Sequence, residues 1–134
     1  MRRHDWASRL FDVATDHMER PFAWGKDDCC LFVARAVDAM TDSQLEATLG
    51  ELYQDEAGAL QLIQTHGDLK GAVSEFLGSP VSERAKRGDV VLFEGGTGHA
   101  VGICFGAEVR AMGPQGMQRI RREEIEPLAV WVIA

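Results

Sequence analysis

Apolar residues recur at helical spacing through the first half of the chain and give way to short extended runs in the second. Asp5 is the expected cap of a first helix with Trp6, Leu10, Val13 and Ala14 inward and Phe11 at the margin, stopped by Pro21. A loop over 22–28 leads into a second helix, in which Cys29, Phe32, Val33, Ala36, Val37 and Met40 repeat on one face. Residues 42–53 carry weak periodicity and no strong local cap, which predicts a mostly irregular segment. Asp55 and Asp68 each open a further helix, with Ala59, Leu60, Leu62 and Ile63 inward in one and Leu69, Ala72, Val73, Phe76 and Leu77 in the other. Gly67 stops the first of these, and Gly78 with Pro80 stops the second.

Beyond Pro80 the texture turns extended. Strands are predicted over 90–93, 100–105, 109–112, 117–121 and 129–133, with Gly95-Gly96-Thr97-Gly98 as a hairpin turn. Connections this short imply antiparallel pairing. Helices followed by strands predict a single α+β domain over 1–134, with three or four helices on one face of a sheet of about five strands.

Composition narrows the function. The formal charge is -7 and 26% of residues are charged, an acidic balance that disfavours nucleic acid and anionic lipid as partners. No apolar run approaches the roughly 20 residues of a membrane span. The charged start Met1-Arg2-Arg3-His4-Asp5 lacks the apolar stretch of a signal peptide, so cytoplasmic synthesis is expected. Three cysteines, two of them adjacent, make a poor disulfide framework and suit a reducing compartment.

Chemistry concentrates at Asp28-Cys29. Asp28, or Asp27 before it, is a good N-cap, and a cysteine at the helix start feels the positive end of the helix dipole, which favours thiolate. The competing reading makes Cys29 and Cys30 small buried hydrophobes. A cysteine nucleophile needs a base from elsewhere in the sequence. His4 lies in the terminus, His17 on an expected helix surface and His66 beside a helix-ending glycine, whereas His99 opens the second strand. A zinc site built from Cys29, Cys30, His99 and Cys104 lacks the usual ligand spacing, and no metal or cofactor is expected. The 95–98 glycines, with no lysine or helix after them, are not a phosphate loop.

The ordered set Trp24-Gly25, then Asp28-Cys29 opening a helix, then Arg87-Gly88-Asp89-Val90-Val91-Leu92-Phe93, then Gly98-His99-Ala100-Val101-Gly102-Ile103 resembles the NlpC-type (NlpC and p-sixty) cysteine peptidases. The chain is similar above all to their compact phage- and prophage-borne branch. The resemblance implies a papain-like fold, a peptidoglycan stem peptide as substrate and phage tail proteins as partners. It makes Cys29 the nucleophile and His99 the base, with Trp24, Gly25 and Asp28 beside the substrate cleft.

Here Ala100 separates the histidine from the Val-Gly-Ile run that it directly precedes in the family. Strand alternation therefore sets His99 on the face of Val101 and Ile103 unless a bulge intervenes. Phe22 stands where the family often has a tyrosine. The strand that usually supplies a ring-orienting residue offers only Arg110-Ala111-Met112-Gly113, which leaves Gln115, or Gln118, as the candidate orienter. Two rival expectations accompany the peptidase: a catalytically inactive tail assembly protein of the same fold, and an acyl hydrolase or transferase using the same pair.

Overall fold

The computed structural model describes residues 1–96 and 98–134. Thr97, expected within the hairpin turn, lies outside the described residues. The architecture is α+β, with five α-helices preceding a five-stranded antiparallel sheet. The helices are α1 (Trp6–His17), α2 (Cys29–Thr41), α3 (Leu45–Leu52), α4 (Glu56–Thr65) and α5 (Leu69–Leu77). The strands are β1 (Val90–Gly95), β2 (Gly98–Cys104), β3 (Glu108–Gly113), β4 (Gly116–Arg121) and β5 (Ala129–Trp131), in the spatial order β4-β3-β2-β1-β5. Among the described residues no helix is long and apolar enough to cross a membrane.

Three helices begin as their local caps dictate. The carboxylates of Asp28, Asp55 and Asp68 accept from the backbone N–H of Leu31, Gly58 and Gly71, each at 2.8 Å. The start of α1 differs: Asp5 makes no side-chain cap and binds Arg3 at 3.0 Å instead. That helix also ends at His17, before Pro21 is reached.

The helix α3 corrects the expectation of an irregular segment over 42–53. Its own N-cap, Gln44, contributes no side-chain bond. Asp38, from α2, substitutes by accepting from Leu45 N at 2.8 Å and Glu46 N at 3.0 Å. Its cap is thus borrowed from another helix, which a local reading of the sequence does not reveal.

The core forms between α2 and one face of the sheet. Phe32, Val33, Val37 and Met40 meet Val90, Leu92, Val101, Ile103 and Trp131. The opposite face, with Val91, Phe93, Cys104 and Val109, is covered by Ala85, Val81 and Ile125 from the connecting segments. The Arg87-Gly88-Asp89 turn has a structural job. Gly88 adopts φ +94°, and a Cβ there would lie 2.9 Å from the Trp6 ring. The buried Asp89 carboxylate accepts from Lys86 N at 2.8 Å, which closes the turn into β1.

Candidate active site

The site begins with a tight loop ahead of α2. Ala23 and Asp27 exchange backbone hydrogen bonds at 3.3 and 2.8 Å, which closes the segment between them into a turn. Gly25 is obligatory, since its φ is +78° and a Cβ would fall 2.1 Å from the Gln54 carbonyl oxygen. Asp28 ties this loop to the helix: besides capping Leu31, it accepts from Gly25 N at 3.0 Å and from the Tyr53 hydroxyl at 3.0 and 2.9 Å. It is fully buried. Burial pushes the Tyr53 phenol up, with the neighbouring thiols and Asp28 adding to the shift, so Tyr53 remains a donor.

Cys29 follows directly, partly buried at the first position of α2. The Cys30 thiol holds the Cys29 thiol below its ordinary range. Burial opposes this, and a backbone hydrogen bond at Val101 supports it, against the charge of Asp28. Cys30 moves well upward, through its bond to Cys29 and through burial, so Cys29 carries the thiolate of the pair.

Cys29 packs against the core cluster that contains Val101, so β2 passes beside the start of α2. His99 is the next residue of β2 on the Val101 face, about 6.8 Å further along the strand at 3.4 Å per residue. The β1–β2 register runs without a bulge from Val90↔Ile103 to Gly95↔Gly98. His99 therefore shares the face of Val101 and Ile103, and that face is the one packed against α2. The alternation leads His99 toward the helix layer of Cys29, and both residues line one cavity of about 810 Å³.

Among the described residues no hydrogen bond joins the His99 ring to Cys29. Its Nε2 lies 3.3 Å from a Glu94 carboxylate oxygen, and both side chains are about half exposed or more. Glu94 faces His99 directly across the hairpin. This contact sets a carboxylate beside the His99 ring, on a strand other than the one expected to supply an orienter. Gln115 is exposed in the β3–β4 turn, and Gln118 packs against Gly113. Glu94 was signalled by the hairpin itself, since pairing Gly95 with Gly98 sets 94 opposite 99.

Trp24 lines the cavity and stacks edge-on with Phe22, which also lines it, at 5.2 Å between ring centres. Gly25 and Asp28 are set back from the lining; their polar groups are spent on the loop and the helix cap. Cys104 sits in the core of the opposite sheet face, so it cannot join Cys29 and Cys30 around a metal. No described group of three His, Cys, Asp or Glu side chains is placed to hold an ion.

His17 corrects the expectation of a surface residue. It is 2% exposed, donates from Nδ1 to the Val13 carbonyl at 2.8 Å and accepts on Nε2 from Arg35 at 3.1 Å. Its place at i+3 from Ala14 and i+7 from Leu10 was the available signal. Arg35 also binds Asp27 at 2.9 Å, and Arg20 reaches the same carboxylate at 3.1 Å. Burial pushes Asp27 up, but the bonds from Arg20 and Arg35 outweigh it and hold Asp27 below the usual carboxylate range. This network braces the site loop from behind.

Among curated proteins none matches the chain. Residues 1–132 match a family described as a domain of unknown function, DUF6950, and the chain belongs to that family.

Proposed function

We propose that the protein is a cysteine hydrolase of papain-like fold, acting on amide bonds in peptidoglycan stem peptides, in association with a phage or prophage tail. The observation that carries the reaction class is that Cys29, Val101 and His99 line one cavity, with His99 one inward position along β2 from Val101. The substrate class rests on the resemblance of the Asp28-Cys29, Arg87-Gly88-Asp89 and Gly98-His99 segments to NlpC-type peptidases.

In this reading the Cys29 thiolate attacks the scissile carbonyl carbon. The developing oxyanion takes hydrogen bonds from the free N–H groups of the first turn of α2, beginning with that of Cys29. His99 takes the thiol proton and gives it to the departing amine as the C–N bond breaks. Water then attacks the thioester, His99 accepts its proton, and the carboxylic acid leaves as the thiol reforms. Glu94 holds the ring in the tautomer that this exchange requires.

The test is digestion of purified muropeptides by wild type and Cys29→Ala, followed by mass spectrometry. Cleaved stem peptides with wild type alone support the proposal. Intact muropeptides with both proteins favour the second reading, an inactive tail assembly protein of the same fold. The specific observation on that side is the His99 ring, set 3.3 Å from a Glu94 carboxylate oxygen and joined to the thiol by no hydrogen bond among the described residues.

A further inference from the structure

Away from Cys29 and His99, the cavity extends between α4 and α5 with mainly apolar walls. Its walls are Leu60 and Ile63 of α4 with Val73 and Phe76 of α5, over a floor of Val33 and Val101. Among the described residues no lysine or arginine lines it. Of the polar groups that do, Tyr53 is spent on Asp28 and Asp68 on the N–H of Gly71, while Glu56 opens α4 on the exposed rim. A peptide lying between α4 and α5 would bury N–H and C=O groups against the apolar walls described, at a cost of about 1–3 kcal/mol for each left unpaired. An alkyl chain carries no such groups and gains about 0.8 kcal/mol for each methylene removed from water. The volume, about 810 Å³, falls within the range of small-molecule sites, roughly 300–1,000 Å³.

Resting on the Cys29–His99 reading, we propose that this cavity receives the aliphatic chain of an acyl ester, so that the acyl group transferred to Cys29 is a long, apolar one. The Cys29 sulfur forms the thioester bond as the ester C–O bond breaks, and His99 passes the thiol proton to the leaving alcohol. Water then adds to the thioester carbonyl, His99 takes its proton, the C–S bond breaks and the free carboxylic acid departs. Proton and electron pair both return to the thiol, so no oxidant or further reactant is needed. Half-buried Ile63, Val73 and Phe76 make up the chain site, and the exposed side of Leu60 and Trp24 marks its opening.

The experiment compares kcat/KM for the p-nitrophenyl esters of acetate, butanoate and octanoate, in wild type and Cys29→Ala. Calorimetry of decanoate binding to Cys29→Ala accompanies it, a measurement that needs no turnover. The chain site predicts a rise of about fourfold per methylene at full burial, and at least tenfold from butanoate to octanoate. It also predicts decanoate binding with a negative heat-capacity change. Filling the cavity by Ala72→Phe would flatten the chain-length series and weaken decanoate. Turnover that depends on Cys29 but not on chain length, with no decanoate binding, overturns the acyl-chain site and leaves the hydrolase reading standing. Decanoate binding without Cys29-dependent turnover upholds the chain site and overturns the hydrolase.

Discussion

The buried Asp28 carboxylate sets the start of the helix that presents Cys29, and its removal tests that arrangement quantitatively. Asp28→Ala deletes an N-cap bond of 2.8 Å to Leu31, worth about 1 kcal/mol. It also strands the Tyr53 hydroxyl, on a residue 4% exposed whose hydroxyl bonds Asp28 alone among the described residues, at a further cost of about 1–3 kcal/mol. The expected loss is about 2–4 kcal/mol. Tyr53→Phe removes one donor from a buried carboxylate that keeps two backbone donors, and should cost about 1.5–3 kcal/mol. The double variant leaves neither partner stranded, so it should be more stable than the sum of the singles implies by about 1–2 kcal/mol. Urea unfolding followed by circular dichroism reads all four proteins, with midpoints moving at constant m. An Asp28→Ala loss below about 0.5 kcal/mol, or strict additivity in the double variant, would refute the hub.

Three other outcomes are expected. Glu94→Gln should lower kcat several-fold with little change in KM, while unfolding stability moves by under about 1 kcal/mol because the His99–Glu94 pair is exposed. Burial holds the His17 imidazole below its ordinary value, outweighing the Val13 bond and joined by the charges of Arg20 and Arg35. Protonation therefore favours the unfolded chain: stability is complete above about pH 6.5 and falls below it, by at most about 1.4 kcal/mol per pH unit. Denaturation from pH 7 to 5 should show this decline, and His17→Leu should lessen it. Gly25→Ala, which drives a Cβ into the Gln54 carbonyl at a φ of +78°, should cost more than 2 kcal/mol by thermal unfolding, on the order expected for strain of this kind plus a clash.

The elements that sequence reveals here are those whose signals are local. The Asp28, Asp55 and Asp68 caps announce α2, α4 and α5 because each acts three residues downstream. The remaining helix between them, α3, escapes because Asp38 reaches it from α2. The placement of Cys29 at a helix start and of His99 on the Val101 face follows from cap and alternation. Tyr53 as a partner of Asp28, 25 residues away, does not. The cavity is also hidden in the sequence: Ile63, Val73 and Phe76 have the spacing of core residues whether they pack together or wall a space. The approach of Glu94 to the His99 ring was implied by the hairpin, which sets position 94 opposite 99.

The central claim is that Cys29 and His99 work as a pair. Its most direct test is the alkylation rate of Cys29 against pH, located by mass spectrometry, in wild type and His99→Ala. The account predicts a wild-type midpoint well below the ordinary thiol value of about 8.5, and a midpoint shifted upward, with slower alkylation at neutral pH, in the variant. A midpoint at or above about 8.5, or one indifferent to His99, would contradict it.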